Sequence, residues 1–216
     1  IATLPVLTRL VSPEDFGAWA LSNAYGVVAG GFATLGLHTA YERNFFEYSQ
    51  PRARAELLYS VVVFSTLGLG VCGLATWSFR EPVAVWLMGD ARYQQVLVVC
   101  FFGNGVTMVK DYFLTYLRSD EQAGPFSTYT IADRVMTGAL QLALVAWAGM
   151  GVMGMVAGQL LASALVLAVI VVRFRRPVPW ALARAPLVDS LKLSLPILPR
   201  LVMVSVGSNI DKYLVG

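Results

Sequence analysis

One histidine and two cysteines are the whole supply of soft metal-binding or thiol chemistry in this 216-residue chain. No His/Glu zinc spacing, nucleophile elbow or phosphate-cradling glycine loop is present. His38 and the few acids assemble no acid–base pair, and no connection is long enough to carry a catalytic loop. The chain is therefore expected to be no enzyme and to hold no cofactor and no metal. Cys72 and Cys100 fall in separate apolar runs, where thiols pack rather than form a disulfide. Charge is scarce as well: 13% of residues are Asp, Glu, Lys or Arg, where soluble domains average about 25%. A net charge of +3 gives no basis for expecting nucleic acid as a partner.

What the chain has in quantity is apolar sequence, at 57% of residues and a mean hydropathy of +0.65. At ~20 apolar residues per membrane crossing, the runs predict an all-α polytopic membrane protein with about six to seven transmembrane helices. A first helix ends near Leu10. The second runs from Phe16 to Tyr41, the third from Ala55 to Phe79, the fourth from Tyr93 to Leu117, the fifth from Pro125 to Ala148 and the sixth from Val152 to Val172. A seventh starts near Ser190 and continues to Gly216. Because the chain opens at Ile1 and stops within an apolar run, it reads as a fragment. Its expected parts are an N-terminal bundle over 1–172, a basic linker over 173–189, and the start of a C-terminal bundle over 190–216.

Ser12, Pro13 and Asp15 form a helix start: a cap, a proline in the first turn and an acid three residues after the cap. Alternate connections carry nine Lys and Arg residues against three in the others, so the even connections and the N-terminus are expected in the cytoplasm. Trp19, Trp77, Trp86, Trp147 and Trp180 fall near helix ends, where interfacial aromatic belts sit. Gly26-x-x-x-Gly30 and Gly154-x-x-x-Gly158 offer surfaces for close helix contact.

Polar residues interrupt the apolar runs at helical spacing. In the fifth helix Thr130, Arg134, Thr137 and Gln141 share one face, with Asp133 at its margin. Arg134 lies roughly 14 Å into that helix at 1.5 Å per residue, close to mid-bilayer. Its two readings are a cavity-lining cation and a structural partner of Asp133. Intramembrane arginines face a protein interior or a water-filled cavity because lipid penalises them by at least ~2.5–3.5 kcal/mol. The fourth helix carries Asn104, Thr107, Asp111 and Thr115, with Lys110 alongside and near enough to the cytoplasmic end to snorkel. The second contributes Asn23, Thr34 and His38. In the seventh, Pro196 and Pro199 predict a hinge, followed by Arg200 and by Asp211 and Lys212 as an interfacial pair. The third and sixth helices have no interior charge and read as lipid-facing or scaffold.

Three segments carry a resemblance: Leu7-Thr-Arg-Leu-Val-Ser-Pro-Glu-Asp-Phe-Gly17, then Leu35-Gly-Leu-His-Thr-Ala-Tyr-Glu-Arg43, then Ser194-Leu-Pro-Ile-Leu with Asn209-Ile-Asp-Lys-Tyr-Leu-Val-Gly216. In order and spacing the chain resembles the Wzx-type O-antigen and exopolysaccharide flippases of the MOP (multidrug/oligosaccharidyl-lipid/polysaccharide) exporter superfamily. The resemblance implies two pseudo-symmetric bundles around a central cavity in the bacterial inner membrane. It also implies alternating-access movement of an undecaprenyl-pyrophosphate-linked oligosaccharide. The expected partners are that lipid-linked oligosaccharide, the bilayer and other polysaccharide-assembly proteins. On this reading Arg134, Arg200 and Lys110 meet the pyrophosphate, and Thr130, Thr137, Gln141, Asn23 and Asn104 meet sugar hydroxyls. Asp133 either orients Arg134 or, with Asp211, takes a coupling cation or proton. Competing readings are an exporter of drugs or of the peptidoglycan lipid precursor, and a non-flippase membrane component of polysaccharide assembly.

Overall fold

The computed structural model describes residues 9–174 and 182–196, and every regular element among them is helical. Ser12 caps the first complete helix, α1 (Pro13–Ala33). Its Oγ accepts a hydrogen bond from the Asp15 N–H at 3.1 Å, while Glu14 and Asp15 complement the positive end of the helix dipole.

The single helix expected from Phe16 to Tyr41 is instead broken. After Thr34–Gly36 the chain resumes as α2 (Leu37–Asn44), bent 57° from α1. Thr34 Oγ1 donates to the Gly30 carbonyl at 3.0 Å, and Leu35 and Gly36 adopt left-handed backbone at φ 50° and 64°. Two successive left-handed residues end a right-handed helix however apolar the surrounding run is.

The chain continues through α3 (Pro51–Ser78), the short α4 (Arg80–Met88) and a 3₁₀ turn (Ala91–Tyr93) into α5 (Gln94–Ser119). Next comes α6 (Ala123–Leu142), prolonged by a π-helical turn (Ala143–Trp147), and then α7 (Gly151–Phe174). A last helix, α8, covers 184–196 and so begins before the expected start near Ser190. It is held to α2 and α3: Ser60 Oγ exchanges hydrogen bonds with the Ala183 carbonyl and N–H, both 3.0 Å, and Asn44 Nδ2 donates to Ser190 Oγ at 2.9 Å.

Helix α5 is the centre of the bundle and packs against α1, α3 and α7. At its C-terminal end, Tyr112 and Tyr116 join Leu37, Tyr41, Phe45 and Phe174 in a ring-rich core, with Tyr41 and Tyr112 edge to face at 5.6 Å. Around its N-terminal end a second core gathers Ala18, Val96, Cys100, Val145 and Met155. Between helices in lipid, close packing replaces water exclusion as the source of stability. Both glycine motifs serve that packing: Gly26 and Gly30 abut Asn104 and Met108 of α5, and Gly154 and Gly158 abut the end of α6 and its π turn. The closest approach lies elsewhere, where a Cβ built on Gly68 would stand 2.1 Å from the Ala33 carbonyl oxygen.

Among the described residues three helices are long and apolar enough to cross a membrane: α3, the Ala91–Ser119 segment containing α5, and α7; the bent α1–α2 pair would make a fourth. The chain is a helical membrane protein. Helix α6, at 20 residues, is not among those candidates, because its threonines, Gln141, Asp133 and Arg134 dilute its apolar surface. Exposed Leu67, Val71, Leu74 and Trp77 on α3, and Leu161, Leu165, Val169 and Val172 on α7, form continuous outward apolar stripes.

Candidate substrate cavity

The polar stripes of α5 and α6 face each other across an open cavity of about 570 Å³ that residues of α1, α2 and α7 also line. All four stripe residues of α6, Thr130, Arg134, Thr137 and Gln141, line it. They do so because 3.6 residues per turn returns every third or fourth side chain to one face.

Its centre is an ion pair. Lys110 Nζ on α5 lies 2.5 Å from Asp133 Oδ1 on α6, with the lysine side chain 1% exposed and the aspartate 12%. Ser163 of α7 joins the two helices, its Oγ donating to Asp133 Oδ1 at 3.4 Å and lying 3.5 Å from Lys110 Nζ. Thr107 Oγ1 is a further 3.1 Å from Ser163 Oγ. Two expectations change here. Lys110 does not snorkel toward an end of the bundle but is buried among three helices. Asp133 does not orient Arg134: successive residues on a helix point about 100° apart and do not face each other, so Asp133 meets α5 while Arg134 turns toward the cavity.

Arg134 has no hydrogen-bond or ion-pair partner among the described residues and is exposed on the cavity side of α6. Asp111, also on the cavity wall, has no ion-pair partner among the described residues either. At the end near α2, Arg118 and Glu42 pair across the mouth, and His38 Nε2 sits 3.2 Å from Thr115 Oγ1. Among the described residues the charges of the wall thus sort into two ion pairs, with Arg134 and Asp111 in neither but acting on each other electrostatically.

The remaining expected residues divide. Asn23 lines the cavity and accepts from Asn104 Nδ2 at 3.2 Å, whereas Asn104 itself is buried behind it, also donating to the Cys100 carbonyl at 3.0 Å. Gln141 spends its Nε2 on the Met155 carbonyl at 3.0 Å, tying α6 to α7. Thr130 Oγ1 donates back to the Phe126 carbonyl at 2.8 Å. Pro196 is the last described residue of α8; Pro199, Arg200, Asp211 and Lys212 lie outside the described residues.

Sequence reasoning overlooked Trp19, Gln159 and Ser163 as cavity residues. Gln159 and Ser163 are four apart on the otherwise apolar α7, a spacing that marks one face and could have identified them. Trp19, assigned to the interfacial belt, gave no signal separating an inward from an outward ring. A second cleft, about 820 Å³, lies between α6 and α7 beside Pro125, Tyr129, Val169 and Val172, with Gln122 and Arg173 among its few polar groups. The ionic chemistry is concentrated in the first.

The comparison with known families places this arrangement in context. A family model described as "Polysaccharide biosynthesis protein" matches residues 6–216. No curated protein matches the chain, and no solved structure does.

Proposed function

We propose that this chain, which belongs to the polysaccharide biosynthesis protein family, moves an undecaprenyl-pyrophosphate-linked oligosaccharide from the cytoplasmic to the outer leaflet of the bacterial inner membrane by alternating access. The observation that carries this reading is Arg134, an arginine with no hydrogen-bond or ion-pair partner among the described residues, on a cavity wall inside an apolar helical bundle. An intramembrane guanidinium that faces a water-filled cavity marks a substrate or ion pathway, and one with no ion-pair partner is available to an anion. A pyrophosphate, with its planar and doubly accepting oxygens, matches the fork of guanidinium donors.

On this reading Arg134 takes the pyrophosphate, with Arg200 as a second guanidinium from the next helix. Lys110 is exchanged between Asp133 and the substrate rather than being free in the resting cavity. Thr137 and Asn23 meet hydroxyls, and Pro196 and Pro199 form the bend about which the bundles rock. The full set of six to seven crossings in this chain, its N-terminus in the cytoplasm, and contacts with other assembly proteins belong to the same proposal. Translocation forms and breaks no covalent bond, so the reading requires no catalytic group.

The test is export of polysaccharide to the cell surface by the full-length protein in cells lacking their own flippase. Arg134→Ala should abolish export at unchanged membrane abundance, and Arg134→Lys, which keeps charge but loses the fork, should restore a fraction. Undiminished export by Arg134→Ala would remove the pyrophosphate role from this residue.

A further inference from the structure

The two ends of the cavity differ in chemistry. Toward α2 the wall carries Arg118, Asp111 and His38, and its middle holds Lys110, Asp133 and Arg134. The opposite end carries Trp19 and Asn23 of α1, Gln141 of α6 and Gln159 of α7, none of them charged. Residue order along the helices fixes this grouping. Trp19 is in the second turn of α1, Gln141 is next to last in α6, and Gln159 is in the third turn of α7.

Trp19 is the unusual member. Phe16 packs against its ring at a centroid distance of 5.1 Å, tilted by 48°, which holds the indole at the wall. Its Nε1 is buried with no hydrogen-bond partner among the described residues. Buried indole N–H groups normally have a partner, so the ring that lines this end of the cavity carries a donor still to be satisfied. Gln159 has no hydrogen-bond partner among the described residues either, and Asn23 accepts one bond while its own amide hydrogens have no partner among those residues.

An aromatic face flanked by side-chain amides and free of charge suits a sugar ring. The axial C–H groups of a pyranose make an apolar face that lies on an indole, and its equatorial hydroxyls accept from and donate to amides. A phosphate, by contrast, gains little at an end that offers it no cation. We propose that Trp19, with Gln159 and Asn23, forms a subsite for the first sugar of the lipid-linked substrate. This fixes the polarity of that substrate: pyrophosphate at Arg134, glycan toward the Trp19 end. Seven residues separate Arg134 from Gln141 along α6, about 10 Å at 1.5 Å per residue, which leaves room for a sugar beyond a phosphate held at Arg134. The inference rests on the translocation reading above.

The experiment uses the full-length protein in lipid nanodiscs and four probes: farnesyl pyrophosphate, and the same lipid pyrophosphate bearing glucose, galactose or N-acetylglucosamine. With a sugar subsite, at least one glycosylated probe binds about tenfold more tightly than the bare one, the change expected for one well-placed contact. Trp19→Ala removes that surplus while the bare probe stays within about twofold. Trp19→Phe, which keeps an aromatic face, retains most of it. If Trp19→Ala weakens the bare probe as well, Gln159→Leu decides, because it leaves the indole packed on Phe16. Loss of the surplus there supports the subsite, and its retention overturns it. A surplus absent for every sugar, or intact in Trp19→Ala, also overturns the subsite and leaves the translocation reading standing. Failure of all four probes to bind the wild-type protein would instead overturn the translocation reading itself.

Discussion

Lys110 Nζ and Asp133 Oδ1 are 2.5 Å apart on neighbouring helices, and they are the most deeply buried ion pair among the described residues. Pairs of this kind are weak evidence for stability, since desolvating both charges offsets much of their attraction. Their removal one partner at a time is another matter.

Lys110→Met or Asp133→Asn alone should destabilise the folded bundle by about 3–5 kcal/mol, because each leaves or weakens the partner of a buried charged group. Combining Lys110→Met with Asp133→Leu should recover most of that loss. Thermal or denaturant unfolding of the full-length protein in detergent measures both. A double variant as unstable as the singles would show that the pair is not the coupling between α5 and α6.

The ion pair at the cavity mouth should behave differently. Arg118 and Glu42 side chains are 51% and 44% exposed, so solvent and salt screen their attraction. Glu42→Ala should change stability by no more than about 1 kcal/mol, measured in the same unfolding assay. A loss as large as that from Lys110→Met would mean the mouth is far drier than its exposure indicates.

Two glycines of α3, two residues apart, should respond oppositely to the same substitution. Gly68→Ala forces a methyl to within 2.1 Å of the Ala33 carbonyl oxygen, a backbone atom that cannot rotate away. Gly70→Ala meets nothing within 4 Å. The first should cost about 1–3 kcal/mol through overpacking of α1 on α3. The second should gain up to about 1 kcal/mol from helix propensity alone. Equal effects in unfolding measurements would refute the close α1–α3 contact.

The sequence made some of this arrangement readable and concealed the rest, for identifiable reasons. The α6 stripe was legible because Thr130, Arg134, Thr137 and Gln141 stand at spacings of a helix turn on an apolar background. All four reach the cavity. The partner of Asp133 was not legible, since choosing between Arg134 and Lys110 requires the rotation of α5 against α6, which neither helix encodes alone. The break after α1 was hidden for a different reason. Leu35 adopts a left-handed backbone that its side chain does not advertise, and no proline marks the spot. The helix at 184–196 was masked by the arginines and prolines around it, which read as a linker, while its hold on Ser60 and Asn44 is a long-range contact.

The unequal pairing of the cavity charges also has an electrical meaning. Lys110 and Asp133 move as a neutral dipole, so displacing them together through the membrane potential requires almost no work. Arg134 shares α6 with Asp133, and Asp111 shares α5 with Lys110, so this stretch of each helix is close to neutral by itself. Sliding α6 along the membrane normal relative to α5 therefore carries little net charge through a potential that does roughly 2.3 kcal/mol of work per elementary charge per 100 mV. On the translocation reading proposed above, a dianionic substrate seated on Arg134 would add net negative charge to the cavity, so the membrane potential would act on the loaded state far more than on the empty one.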